Sequence, residues 1–161
     1  MFYALISFLG LIIGLVLSKK FKSELKDIQK FLKFVVFILI MSIILRLFLL
    51  INFSYLFLSG MIIGAAVNYF LRYNYLYFGF ILMLANLMNE LDQIFFSISI
   101  FILGLSYNTL IEANKKDIII IIILFALPFW LLFTNLASNY FDFLSGVSIG
   151  GLAVGFKQFN K

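Results

Sequence analysis

The sequence predicts an all-α membrane bundle of about seven helices, and three observations carry that expectation. The chain is 65% hydrophobic with only 12% charged residues, where a soluble domain usually carries about a quarter. Its 22 phenylalanines and long isoleucine runs exceed what a water-soluble core of this size can hide. Its lysines and arginines fall in clusters: Lys19 to Lys33, Arg72, Lys115 with Lys116, and Lys157 with Lys161. The apolar stretches between clusters run about 40 residues, twice the ~20 needed to cross a hydrocarbon core of ~30 Å. A stretch of double length returns the chain to the side it left, so the basic clusters are expected on one face of the membrane.

The first element, Phe2 to Leu17, has no lysine or arginine before its apolar run and a dense basic block after it. That order is the reverse of a cleaved signal peptide, so it is expected to be a first crossing with its N-terminus outside. The segment from Lys19 to Lys33 follows. In it Phe21, Leu25, Ile28 and Phe31/Leu32 recur at helical spacing, which suits an amphipathic helix on the inner surface. There Lys19, Lys20, Lys22, Lys26, Lys30 and Lys33 are positioned to meet anionic lipid headgroups, or serve only to set topology.

Three helical hairpins follow, over residues 34–72, 75–112 and 117–157, all within one integral domain spanning 1–161. Their outer turns are expected at Asn52 to Ser54, Asn89 to Gln93 and Thr134 to Asn139, with the C-terminus inside. As a single helix, Tyr75 to Asn108 would be about 50 Å long at 1.5 Å per residue, too long for a bilayer. The polar Asn89 to Gln93 group therefore marks a turn, or a re-entrant break that holds Glu90 and Asp92 within the membrane. Pro128, the one proline, should kink its helix by freeing the carbonyl of Leu124. Trp130 and the tyrosines from Tyr69 to Tyr77 suit interfacial anchoring.

Glycine placement gives the packing expectation. Phe57-Leu58-Ser59-Gly60-x-x-Ile63-Gly64 matches Phe143-Leu144-Ser145-Gly146-x-x-Ile149-Gly150, and Leu9-Gly10-x-x-Ile13-Gly14 echoes both, with Gly104 alone on span five. Glycines four apart share a helix face and admit a neighbouring backbone. All but Gly79 lie on odd-numbered spans, so the expectation is a core of parallel odd helices with even helices wrapped outside.

Among polar groups, Arg46 lies inside span two. It reads as a charged gate, as a snorkelling side chain, or as the partner of Glu90, Asp92 or Asp142. Asp92 and Asp142 near helix starts suit capping. Asn68 and Asn86 suit interhelical hydrogen bonds, or line a polar path.

The chain lacks cysteine and histidine and carries no phosphate loop, nucleophile elbow or zinc-protease motif. No catalytic, cofactor-binding or metal-ligating set is expected, and no enzyme. The net charge of +5 reads as an orientation signal, and with aromatics inside apolar runs no nucleic-acid interface is expected. Two functions remain. One is a transport-type bundle: carrier, channel or membrane-embedded transporter subunit. The other is a structural or accessory subunit of a larger membrane complex. Either is multi-pass, expected in a prokaryotic cell membrane, with lipid and membrane-protein partners or further copies of itself.

Overall fold

A computed structural model describes residues 2–20, 27–51, 53–71, 74–110 and 115–159. Among them every regular element is helical. In chain order these are α1 (Phe2–Lys20), α2 (Gln29–Leu50), α3 (Tyr55–Leu71), α4 (Tyr75–Ala85), α5 (Glu90–Leu110), α6 (Lys115–Ala126), a 3₁₀ segment (Leu127–Thr134), α7 (Leu136–Asn139) and α8 (Phe141–Phe159).

Local chemistry sets several boundaries. Ser54 starts α3, its Oγ accepting a hydrogen bond from the Phe57 amide at 3.2 Å. Asn89 starts α5 in the same way, its Oδ1 accepting from the Asp92 amide at 3.0 Å. Both relieve donors that have no partner within the helix. Pro128, the second residue of the 3₁₀ segment, has no N–H for the Leu124 carbonyl. The chain answers by tightening into 3₁₀ geometry for eight residues, where the sequence suggests only a kink. Asn135 then takes a left-handed conformation, φ 53°, and ends the segment.

Two helix pairs dominate the packing, α3 with α8 and α1 with α5. Both are parallel. Along the first, Gly60 abuts the backbone of Phe143 and Gly64 that of Val147, while Gly146 abuts Phe57 and Gly150 abuts Met61. The contacts are reciprocal: what Gly60 and Gly64 do to α8, Gly146 and Gly150 do to α3. Along the second pair, a Cβ on Gly10 would lie 2.5 Å from the Phe101 carbonyl oxygen, and one on Gly104 would lie 2.7 Å from the Leu11 amide. Gly14 is buried on the same helix. Ser7 Oγ donates to the Ser97 carbonyl at 2.9 Å, adding a polar tie.

The expected division into odd helices inside and even helices outside does not hold. The even helix α4 is the most enclosed element: Tyr75, Tyr77, Phe78, Gly79 and Ile81 to Ala85 are all buried. It touches α5, α6, the 3₁₀ segment and α8, and Gly79 abuts the Phe125 backbone of α6. A short helix that is apolar on every face has no preferred outer side and sinks to the centre. By contrast α2 buries one stripe, Val36, Ile40, Ile43 and Leu47, and leaves Phe34, Phe37, Ile38, Met41, Leu45 and Leu49 exposed.

At the edges of the basic segment, α1 ends at Lys20, and Lys30 and Lys33 lie in the first turns of α2. Lys22 and Lys26 lie outside the described residues. The expected outer turn at Asn89 to Gln93 falls slightly earlier, over residues 86–89, with Glu90 to Gln93 forming the first turn of α5.

By length and apolar character two helices can cross a membrane: Gln29–Leu50, mean hydropathy 2.6, and Glu90–Tyr107, mean hydropathy 1.3. Among the described residues the other apolar stretches, Tyr3–Ser18, Tyr55–Leu71, Tyr75–Ala85, Ile118–Thr134 and Phe141–Gly155, run 10–17 residues, so length alone does not establish seven crossings.

Candidate functional site

Polar side chains gather at the two ends of the bundle. At one end, which we call acidic, three carboxylates each reach another element. Arg46 on α2 donates to Asp92 Oδ1 on α5 from Nε at 2.7 Å and Nη2 at 2.6 Å. Tyr3 on α1 donates to Glu90 Oε1 at 3.1 Å. Ser54, which caps α3, donates to Asp142 Oδ2 on α8 at 3.4 Å. Of the three acids the sequence offered to Arg46, the fold selects Asp92.

Capping of α5 falls to Asn89 rather than to Asp92, which corrects the expectation. Asp92 and Asp142 still lie in the first turns of their helices, where negative charge complements the amide dipoles. The capping position itself needs a residue before the helix, and Asp92 is already inside it. Asp92 is 1% exposed against 41% for Arg46. Its Oδ2 is buried without a hydrogen-bond partner, as is Ser145 Oγ.

Towards the other end lies a buried amide and phenol cluster. Asn68 Nδ2 donates to Asn74 Oδ1 at 2.7 Å and to the Gly151 carbonyl at 2.5 Å. Asn74 Nδ2 donates to Tyr107 Oη at 2.9 Å, and Tyr77 Oη to the Gly64 carbonyl at 3.0 Å. Three helices and the turn before α4 therefore share the Asn68, Asn74 and Tyr107 hydrogen bonds, and Tyr77 ties α4 to α3 beside them. Glycine makes the room: a Cβ on Gly151 would collide with the Tyr77 ring, and one on Gly155 with the amides of Asn74 and Asn68. Tyr75, Phe78 and Tyr107 stack edge to face around it, with centroids 5.3–6.0 Å apart.

Asn86 does not join Asn68. It sits just after α4, its Nδ2 donating to the Leu82 carbonyl at 2.7 Å. Sequence reasoning did not single out Asn74, Tyr77 or Tyr107 as polar centres. The usable signal was Gly151 and Gly155, which fall on the face of α8 that carries no neighbour in the glycine repeat.

A cavity of about 310 Å³ opens on the flank between α1 and α6, lined by Ala4, Leu5, Phe8, Ile122, Phe125, Ala126 and Phe129. Its walls carry no polar side chain. Among the described residues no group of three or more histidines, cysteines or acids could hold a metal. Among the described residues the polar contacts tie helices together: paired charges at one end, an amide and phenol network towards the other, and backbone contact between. Comparison with family models, with curated proteins and with solved structures gave no match in any of the three.

Proposed function

We propose that this protein is a multi-pass membrane subunit that serves as a rigid scaffold for another membrane protein or for further copies of itself. The observation that carries this reading is the reciprocal glycine seam of α3 and α8, with backbone touching backbone at Gly60, Gly64, Gly146 and Gly150. Such a seam tolerates little sliding, because any shift drives one helix into the next.

The multi-pass reading draws support from the outer surface. Leu5, Leu9, Ile38, Leu45, Leu49, Ile62, Phe70 and Ile123 are exposed, and an apolar surface that extensive belongs in hydrocarbon. The spacing of the basic clusters supports seven crossings with the N-terminus outside and the acidic end outward. The lysines that end α1 and open α2 suit contact with anionic headgroups.

A transport-type bundle is the second reading, favoured by one observation: the break at Pro128 stands beside the flank cavity, and broken helices line sites in carriers. Purification in mild detergent separates the two. A scaffold co-purifies with a defined membrane partner or as a discrete homo-oligomer, and proteoliposomes containing it alone show no solute flux. Flux by the lone, monodisperse chain would overturn the scaffold reading.

A further inference from the structure

The polar groups that bracket the helices are too close together for an ordinary bilayer. On α8, the helical path from Asp142 to Lys157 covers about 22 Å at 1.5 Å per residue. From Asp92 to Asn108 on α5 the path is about 24 Å. From Tyr3, which is tied to Glu90, to Lys20 on α1 it is about 25 Å. On α2 the cation Arg46 sits about 20 Å from Lys33, inside a helix that runs on apolar to Leu50. A common hydrocarbon core is ~30 Å thick.

Tilt widens this gap, since a tilted helix covers less of the membrane normal than its own length. Snorkelling recovers part of it at the lysines, whose stems reach several ångströms. It does little for Asp92, because the carboxylate is short, 1% exposed and already held by Arg46. The acidic end is also pinned at three places at once, Tyr3–Glu90, Arg46–Asp92 and Ser54–Asp142. A single helix cannot slide outward to meet a thicker membrane without breaking one of these ties or the glycine seams. The rigid bundle therefore leaves the adjustment to the lipid.

We infer that the outer surface of this bundle is fitted to a thin bilayer, with a hydrocarbon core of about 20–25 Å, and that in a thicker membrane it compresses the lipid shell around it. The partner is a phospholipid bilayer of short acyl chains. This inference rests on the multi-pass reading above and gives it a dimension.

The test reconstitutes the full chain in phosphatidylcholine vesicles whose monounsaturated chains have 14, 16, 18, 20 or 22 carbons. The emission of Trp130, the single tryptophan, reports the apparent melting midpoint. The expected maximum is at 14 or 16 carbons, with a fall of roughly 5 °C or more towards 22 carbons. A maximum at 18 carbons or beyond, or no dependence on chain length, overturns the inference. Replacing the charge pair by Arg46→Leu with Asp92→Leu, a change that apolar packing tolerates well, should move the optimum to longer chains; an unmoved optimum also counts against it. Extraction by alkaline carbonate in parallel keeps the two readings apart. A chain that resists extraction yet prefers long chains sinks only the thin-membrane inference, whereas release from every vesicle sinks the multi-pass reading with it.

Discussion

The guanidinium of Arg46 spends two of its donors, Nε and Nη2, on a single oxygen of Asp92. The pair is asymmetric. Asp92 is enclosed at 1% exposure and Arg46 is 41% exposed, so the two halves depend on each other unequally.

That asymmetry predicts unequal costs. Arg46→Ala strands a buried carboxylate and should destabilise by about 3 kcal/mol or more. Asp92→Asn leaves Arg46 free to turn towards water or headgroups, and should cost only about 1–2 kcal/mol. Thermal melts of both variants in one detergent measure the difference. Equal losses would mean that Asp92 is not the buried partner described.

The glycine seam makes a second prediction. Gly60→Leu and Gly146→Leu should be similarly disruptive because their contacts mirror each other, on Phe143 and on Phe57 respectively. Overpacking of this sort costs about 1–3 kcal/mol and often more when the obstacle is backbone. Ser59→Leu, at an exposed position on the same helix, should be close to neutral. Melting points and oligomer size by light scattering decide it; unchanged values for both glycine variants would remove the seam from the account.

A third prediction concerns the amide network. Tyr77→Phe deletes one hydrogen bond, to the Gly64 carbonyl, and should cost about 0.6 kcal/mol, the average for polar ties between membrane helices. Asn74→Leu removes the bridge between Asn68 and Tyr107 and leaves buried polar groups behind, costing about 1–3 kcal/mol. Finding Tyr77→Phe more damaging than Asn74→Leu would show that the bridge lies elsewhere.

Much of the packing was written in small residues. A glycine four places from another admits a backbone wherever the helix goes, so Gly60, Gly64, Gly146 and Gly150 announce a seam before the partner is known. The identity of that partner is a tertiary fact, and so is the enclosure of α4. Its Phe, Leu and Met content reads equally as lipid-facing or as core, since both environments are apolar. The Asp92 partnership was legible as one option among three acids, because Arg46 needed company and local spacing could not choose. Asn74 and Tyr107 stayed hidden because a turn asparagine and an interfacial tyrosine have ordinary explanations of their own. Only the room that Gly151 leaves for the Tyr77 ring, and Gly155 for the amides of Asn74 and Asn68, reveals the network.

Pro128 offers a fourth prediction. Pro128→Ala restores a donor for the Leu124 carbonyl and lets the eight-residue 3₁₀ segment relax towards α-helix, shortening it by about 4 Å. Trp130, 73% exposed, rides on that segment. Its emission maximum and its quenching by brominated lipid chains should therefore both change, without loss of the helical signal in circular dichroism. Identical fluorescence would mean that proline does not impose the 3₁₀ geometry.

The sidedness proposed for the chain is directly measurable, because the sequence has no cysteine. Single cysteines at Phe53, Leu87 and Ser138 should react with an impermeant maleimide added outside intact cells. Cysteines at Ser23, Tyr73 and Ala113 should react only after the membrane is opened. Labelling of Tyr73→Cys and Ala113→Cys from opposite sides would contradict the proposed seven crossings.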